Sequence, residues 1–259
     1  MKNLIYLFLV VILSKQVSAQ GVTKFGQSAS TSTSFVHRNG RIGSSTMLNQ
    51  NGKMFFSCGD ALAVTHTLGG GVAPESKSVN YGTITSSLSG ASKCWITQNL
   101  GSSQQATSAY DATEASAGWY WQFNRKQGYK HDGTTRTPAT VWITTIAESI
   151  DWLPANDPCT LELGAGWRIP TNSEWTTART NGSLISDIKA FSSVLKLGQA
   201  GMLSDTDSSL TNRGGAGYYW SSTSWTSNNG GYRLLFYLNG GNIFGSVKST
   251  GQSVRCLKD

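Results

Sequence analysis

The stretch "GWRIPTNSEW", residues 166–175, marks the start of the clearest helix in this chain. Pro170 ends the extended segment before it, and Thr171 stands three residues ahead of Glu174. This is the capping-box pattern. The threonine hydroxyl accepts a hydrogen bond from the backbone N–H of the glutamate, and the glutamate carboxylate accepts one from the backbone N–H of the threonine. The pattern predicts a short helix that begins at Asn172.

Tryptophan marks the core around this helix. Trp167 and Trp175 lie within the quoted stretch, and Trp220 lies in a later strand-like segment. A buried aromatic side chain removes roughly 150–250 Å² from water, so we expect all three to be core residues. We expect Arg168 to have a structural role, with its guanidinium bonded to backbone carbonyls or to a carboxylate.

Short segments of regular structure surround the helix on both sides. Upstream, "KCWITQNLG" (93–101) has the apolar density of a buried strand, and a short helix is predicted from Asp111. Downstream, "SLISDIKAFSSVL" (183–195) predicts a second helix and "LKLGQAGML" (195–203) a strand. The last third predicts short strands with Gly and Asn at the turns: "GYYWSST", "GYRLLFYL", "GNIFGSV" and "SVRCLKD".

The N-terminus is expected to be a secretory signal. "MKNLIYLFLVVILSKQVSAQ" has a positive start, an apolar run and small residues before Gln20, which predicts cleavage after Ala19. The apolar run is too short to span a bilayer comfortably, and no other stretch approaches that length. We predict a signal peptide (1–19), an extended leader rich in Gly, Ser, Thr and Asn (20–53), and a globular domain (54–259). The protein is expected to be exported to the periplasm, the cell surface or the medium.

Charge and cysteine content narrow the function. The formal net charge of +7 falls to +5 because Lys2 and Lys15 leave with the signal. The remaining basic residues are scattered, so we do not expect a nucleic-acid partner. Four cysteines in an exported chain suggest two disulfides, and three pairings are open. No C-x-x-C motif occurs and the histidines lie far from any cysteine pair, so a zinc site is not expected.

Several motifs resemble the FISUMP group of exported bacterial proteins, the major paralogous domain family: "CWITQNLG", "DPC", "GWRIPTNSEW", "YYWSST" and "GQSVRCLKD". That group is related to the formylglycine-generating-enzyme branch of the C-type lectin fold. The resemblance implies an α+β domain of C-type lectin-like fold. Its N- and C-terminal strands lie together, one or two helices flank a small mixed or antiparallel sheet, and long loops cover one end. It also implies a Cys159–Cys256 disulfide, which leaves Cys58–Cys94 as the second pair.

The enzymes and lectins of this fold use motifs that this chain lacks. Formylglycine-generating enzymes work through a pair of reactive cysteines that bind copper, whereas Cys256 is expected in a disulfide. No G-x-S-x-G motif is present, so no catalytic residue and no cofactor is predicted. The lectin triplets "EPN", "QPD" and "WND" do not occur, and "SDTDSS" (204–209) lacks the Gly and closing Glu of a calcium loop. A structural calcium at "SDTDSS" is left open, and no metal site is predicted.

The segment from Tyr218 to Lys248 raises the question of which side chains face the core. Side chains alternate between the two sides of a strand. The more uniformly apolar set is expected to face inward: Tyr232, Leu234, Phe236, Leu238 and Ile243. The other set is expected to point outward: Arg233, Leu235, Tyr237, Phe244, Ser246 and Val247.

The outward set has the composition of a binding surface, since rigid aromatics supply contact area and Ser, Gly and Asn supply adaptable hydrogen bonds. The segment also resembles the C-terminal part of variable proteins from diversity-generating retroelements, which share the C-type lectin fold. In those proteins, mutagenesis at template adenines diversifies outward positions, and an AAC codon yields Arg, Leu, Tyr, Phe, Gly, Ser, Val, Thr or Asn. The predicted ligand-binding residues all belong to that set: Thr226, Ser227, Asn228, Asn229, Arg233, Leu235, Tyr237, Phe244, Ser246 and Val247.

These patterns predict an exported protein that binds a ligand non-covalently through its C-terminal segment. The expected target is a protein or a glycan at a bacterial or host surface. Two alternatives stay open: a surface-layer, adhesion or fibre subunit whose leader mediates assembly, and an enzyme of the formylglycine-generating type. The leader or a loop could also cover the outward set. The sequence sets neither the ligand nor the oligomeric state.

Overall fold

The computed structural model describes residues 56–225 and 229–259. The predicted signal peptide, the predicted leader and the predicted ligand-binding residues Thr226, Ser227 and Asn228 lie outside the described residues. Within the described ranges, no helix is both long enough and apolar enough to cross a membrane.

The described residues form an α+β arrangement of short elements. The helices are α1 (Glu114–Ala117), α2 (Pro158–Leu163), α3 (Asn172–Asn181) and α4 (Asp187–Ser192). The first seven strands are β1 (Leu62–His66), β2 (Lys77–Tyr81), β3 (Thr83–Ser86), β4 (Lys93–Ile96), β5 (Tyr120–Trp121), β6 (Gly128–His131) and β7 (Arg136–Thr137). The others are β8 (Trp167–Arg168), β9 (Met202–Leu203), β10 (Leu210–Thr211), β11 (Ala216–Trp225), β12 (Gly230–Tyr237), β13 (Gly240–Val247) and β14 (Leu257–Lys258). The sheets they form are small and antiparallel.

A four-stranded sheet brings together segments that are far apart in sequence. Its order is β3-β4-β14-β8, so Leu257 of β14 lies opposite Trp95 of β4 on one side and opposite Arg168 of β8 on the other. Two disulfides hold this region, Cys58–Cys94 and Cys159–Cys256. These are the two pairs that the resemblance implies. Each can stabilise the fold by about 2–4 kcal/mol because it restricts the unfolded chain.

Helix α3 begins as the capping box predicts. The hydroxyl of Thr171 accepts a hydrogen bond from the backbone N–H of Glu174 at 3.2 Å, and the Glu174 carboxylate accepts one from the backbone N–H of Thr171 at 2.8 Å. Arg168 donates two bonds of 2.7 Å to the same carboxylate and further bonds of 2.8 Å to Asp259. Arg168 therefore ties the start of α3 to the segment after β14, the structural role that was expected.

The core has two main apolar clusters, and the three expected tryptophans lie in them. Trp167 and Trp220 belong to one cluster, which also contains the Cys159–Cys256 bridge. Trp175 belongs to the other, which packs α3 and α4 against the C-terminal strands. All three tryptophans are buried, so the core assignment is confirmed.

The segment after α3 differs from the sequence prediction. The helix predicted over 183–195 is present only as α4, and the strand predicted over 195–203 is present only as β9. Leu195 and Leu197 are fully buried all the same. Between them Lys196 has a positive φ of 50°, so the backbone turns and lets both leucines enter the core. The strand prediction over 195–203 is therefore wrong outside β9.

Helix α2 begins within the motif "DPC", residues 157–159, for which the sequence analysis predicted no helix. Asp157 caps it by accepting a hydrogen bond from the backbone N–H of Cys159 at 2.8 Å, and Pro158 occupies the first helical position. Proline is favoured there because its missing N–H would have no partner inside the helix. The segment "DPC" therefore carries a helix start signal, which positions Cys159 for its bridge.

Strands β11, β12 and β13 form the C-terminal sheet, in that order. Directly paired residues lie on the same side of an antiparallel sheet. One row faces the cluster under α3 and α4 and defines the packed side: Tyr219, Leu234 and Ile243. The next row faces the opposite way and defines the open side: Trp220, Arg233 and Phe244.

Candidate binding surface

Five side chains of β12 and β13 form an accessible group on the open side of the sheet. Phe244 lies opposite Arg233, and Asn242 lies opposite Leu235. Tyr237 follows two residues after Leu235 on the same strand and therefore on the same side. We call these five residues the open patch. Four of them are among the predicted ligand-binding residues, and the structure brings those four together.

Exposure separates the open patch from the packed side. Tyr237 is 46% exposed and Phe244 is 44% exposed, whereas Leu234 and Phe236 of the packed side are fully buried. Leu235 is half-buried between them. Contiguous exposed apolar side chains mark interaction sites more often than single ones do. The arrangement is therefore chemically suited to contact with another molecule.

Arg233 lies at the inner edge of the open patch. Its guanidinium carbon is 4.8 Å from the centroid of the Tyr218 ring, and its Nη1 is 3.6 Å from the sulfur of Met202. Its Nε is buried and has no hydrogen-bond partner within the described residues. Burial lowers the pKa of Arg233, while the nearby Tyr218 has the opposite effect. Arg233 is therefore half-buried rather than fully outward as the sequence prediction had it.

The open side is covered where β12 begins, and this corrects the prediction for Ser246. Ser246 is only 9% exposed, and its hydroxyl lies 3.0 Å from the amide nitrogen of Gln252 and 3.2 Å from the hydroxyl of Thr250. Opposite Ser246, a Cβ at Gly231 would lie 2.3 Å from the ring of Phe123. Core side chains thus fill this end of the open side, and Ser246 does not point outward.

Val247 is exposed but belongs to the other side of the sheet. It is 51% exposed. Val247 lies two residues after Gly245 on β13, and Gly245 is paired with Tyr232, which lies two residues before Leu234 on β12. Residues two apart on a strand point to the same side, so Val247 is on the packed side. On this side, the centroid of the Tyr232 ring lies 6.2 Å from the centroid of the Trp225 ring. Val247 therefore cannot contact the same flat ligand surface as Phe244. The exposed Asn229 precedes β12 with a positive φ of 50°, a conformation that asparagine tolerates.

The inward set also needs two corrections. Leu238, predicted to face the core, is 60% exposed because β12 ends at Tyr237 and the alternation ends with it. Tyr232 is half-buried beside Trp225 rather than in the core. Leu234, Phe236 and the partly buried Ile243 pack against the cluster as predicted.

Sequence reasoning missed a buried polar network around His66. Its Nδ1 lies 2.5 Å from a Glu162 carboxylate oxygen, and its Nε2 lies 2.7 Å from the Tyr81 hydroxyl. That hydroxyl also accepts a bond of 2.7 Å from the backbone N–H of Gly101. His66 and Tyr81 are fully buried, so the network fixes β1 and β2 to α2. Residues 96 positions apart leave no local motif that could have revealed it.

A second missed group surrounds Lys248, which is 1% exposed. Its ammonium donates to the Ser224 hydroxyl at 2.8 Å and to the backbone carbonyl of Glu148, and it lies 4.9 Å from the centroid of the Phe123 ring. Burial lowers the pKa of Lys248, while the charges of Glu148 and Asp151 oppose that shift. Ser224 is itself buried, so this pair holds the sheet to the 148–152 loop.

Two surface hollows of about 450 Å³ each occur away from the open patch. One is lined by Glu75, Lys77 and Trp119, the other by Ser87, Asn181 and Val194, among others. Neither involves a predicted ligand-binding residue. The open patch is instead a surface of side chains on a sheet, which suits a macromolecule better than a small enclosed ligand.

The described residues contain no group of three or more His, Cys, Asp or Glu side chains that could hold a metal ion. In the segment left open for calcium, the carboxylate of Asp207 accepts hydrogen bonds from the backbone N–H and the hydroxyl of Ser209 at 3.0 Å and 2.8 Å. That aspartate closes a local turn.

Comparison of the chain with protein-family models, with curated proteins and with solved structures gave no match.

Proposed function

We propose that the protein is an exported domain of C-type lectin-like fold that binds a ligand non-covalently through the open patch. One observation carries the proposal. Tyr237 and Phe244 are nearly half exposed on the same side of the sheet as Arg233 and Leu235, opposite the side that α3 and α4 cover. Aromatic residues and arginine dominate the energetics of binding surfaces, because they bury large areas and offer several donors.

Three side chains of the open patch can vary without disturbing the buried row on the packed side, which supports a diversified segment. Leu235, Tyr237 and Phe244 lie on the side opposite the buried Leu234 row, so a change at any of them leaves that row intact. Gly245 also belongs to the set of residues that an AAC codon permits, but its position cannot vary freely. A Cβ there would lie 1.6 Å from the Trp225 ring, so substitution requires the tryptophan to move.

Two features support the fold and the export. Strand β14 pairs between β4 and β8, which suits a fold whose terminal strands lie together. Both disulfides are of the kind found in oxidising compartments. The four cysteines of the chain are all used in these bridges. The formylglycine-generating alternative needs a reactive thiol, so it is the weaker proposal.

Loss of two aromatic contacts in the open patch tests the function. The mature protein is used to select binders from a phage library of random peptides and is applied to a glycan array. We expect the Tyr237→Ser, Phe244→Ser double variant to lose the binders that the wild type selects, with an unchanged melting temperature. Truncation of a central interface aromatic commonly costs more than about 2 kcal/mol of binding free energy.

Two matched variants serve as controls. Ile188→Ser removes an apolar side chain of similar exposure (49%) on α4, and Val247→Ser removes one on the other side of the same sheet. Both should retain binding. Equal binding by the double variant and the wild type would refute the proposal, and equal loss in all three variants would indicate nonspecific adhesion. A near-copy of the C-terminal coding segment beside a reverse-transcriptase gene would support diversification.

A further inference from the structure

Arg233 carries a positive charge that no acidic group in the described part of the chain neutralises. The salt bridges there involve other residues, so no carboxylate oxygen among the described residues lies within 4.0 Å of its guanidinium. Its closest polar contact is the weakly accepting sulfur of Met202, and its buried Nε has no hydrogen-bond partner there. The guanidinium is held by the Tyr218 ring instead.

Two other arginines show how a structural arginine is bonded in this protein. Arg168 donates to the carboxylates of Glu174 and Asp259. Arg255, which is 1% exposed, donates to the Leu195 carbonyl at 2.6 Å and to the Asn99 side-chain oxygen at 2.7 Å. Arg233 has no oxygen acceptor of this kind within the described residues. The terminal nitrogens of Arg233 therefore keep N–H donors that no oxygen of the described residues accepts, and these are left for a group outside the domain.

The charge and the donor geometry of the Arg233 guanidinium indicate which chemical group it binds. A charge taken partly out of water without a partner costs free energy, and a partner of opposite charge recovers it. The planar guanidinium presents pairs of N–H donors whose spacing matches the two oxygens of a carboxylate. The cation–π contact with Tyr218 restrains the Arg233 guanidinium before a ligand arrives. A carboxylate is the chemistry that this site fits.

The neighbours of Arg233 indicate where the carboxylate comes from. Phe244 lies opposite Arg233, Leu235 and Tyr237 continue the apolar surface along β12, and Asn242 is the one amide of the open patch. A glycan needs a denser array of hydrogen-bonding groups, whereas a protein surface supplies apolar side chains beside an acidic one. We propose that the open patch binds an acidic residue of a protein partner, with Arg233 bound to its carboxylate and the aromatic residues packed on adjacent apolar side chains.

This proposal rests on the proposed function, since it specifies the ligand of the same surface. Its probes are the peptides selected by the wild-type protein, synthesised with capped ends so that only side chains carry charge. Each is made with its Asp or Glu and with Asn or Gln in its place. We expect the acid-to-amide change to weaken binding about tenfold or more in the wild type and to have little effect in Arg233→Gln, as close charge pairs do in double-mutant cycles.

Lys189→Gln on α4 is the matched control, because it removes one exposed charge away from the open patch. It should preserve the acid dependence. An equal acid effect in the wild type and Arg233→Gln would overturn the proposal while leaving the binding function in place. Peptides insensitive to the Tyr237→Ser, Phe244→Ser change would instead refute the function itself. Binding confined to sialylated or sulfated glycans would refute the protein partner.

A second measurement does not depend on any ligand. Because Arg233 lacks an acidic partner in the free domain, Arg233→Met should keep or raise the melting temperature, since it replaces an unpaired charge by apolar volume. The same exchange at the paired Arg168 should lower it. A fall at Arg233 as large as that at Arg168 would assign Arg233 a structural role and overturn the proposal.

Discussion

Phe236 and Phe244 lie on neighbouring strands of one sheet but on opposite sides of it. Phe236 is fully buried, stacks on Tyr219 with ring centroids 5.7 Å apart and lies over Gly217, where a Cβ would come within 2.2 Å of its ring. Phe244 is 44% exposed. The same residue type therefore serves the core on one side and is accessible on the other, and only the register decides which.

The comparison teaches that composition alone does not identify a binding surface. The packed side and the open patch both contain leucine and aromatic residues. What separates them is the presence of α3 and α4 over one side, where the second core cluster forms. A shift of the register by one residue would exchange the two sets.

The largest expected effect on stability comes from truncating Phe236, and Phe244 is its matched comparison. Phe236→Ala should lower the free energy of unfolding by about 3–5 kcal/mol, the range for a buried phenylalanine. Phe244→Ala should change it by only about 0.5 kcal/mol, as exposed positions do. Urea denaturation with intact disulfides measures both. Similar losses for the two variants would mean that Phe244 is also a core residue, and the comparison would not hold.

A glycine substitution locates the border of the open side. Gly231→Ala should destabilise the protein by about 1–3 kcal/mol because its Cβ must displace the ring of Phe123. Asn242→Ala, within the open patch, is the control and should leave the melting temperature unchanged. Thermal denaturation of both variants checks this. A neutral Gly231→Ala would show that the open side extends further toward the start of β12.

Acid unfolding distinguishes Arg168, which has carboxylate partners, from Arg233, which has none among the described residues. The expected effect on the free energy of unfolding is the smallest of the three. The hydrogen bond from Arg168 lowers the pKa of Asp259 to about 2, below the usual 3.8, against the opposing effect of burial and with help from Lys93. Asp259 thus stabilises the fold above pH 3.8, and this contribution is lost as the pH falls towards 2. Because the Asp259 side chain is 51% exposed, we expect at most about 1 kcal/mol.

Denaturation curves across this pH range provide the test. Asp259→Asn should flatten the loss of stability between pH 4 and 2, whereas Arg233→Met should give a curve parallel to that of the wild type. A flattened curve for Arg233→Met would reveal a carboxylate partner and contradict the contrast between the two arginines.

Much of the frame was predictable because its signals are local. The capping box at Thr171 and Glu174 predicts the start of α3, and alternation along β12 predicts the burial of Leu234 and Phe236. The outward direction of Tyr237 and Phe244 follows from the same period of two. Such patterns depend on neighbours in the chain, so one sequence suffices to find them.

The failures share a different cause, since they depend on residues that meet only in three dimensions. Ser246 has the parity of an outward residue but is covered by Gln252 and Thr250. Val247 was grouped with Phe244 although the parity separates them. Arg233 is half-buried because Tyr218 and Met202 lie beside it. No spacing in the sequence states which loop will cover which end of a sheet.

The position of β14 in the four-stranded sheet has a consequence for how the chain folds. Leu257 must find both Trp95 and Arg168 before the sheet is complete, and such long-range pairing is typical of domains that fold in milliseconds to seconds rather than microseconds. During synthesis, β4 and β8 each present an unpaired edge until residues 257–258 have been made. We expect fragments that stop before β14 to associate through those edges, so the final strand also protects the growing chain from aggregation.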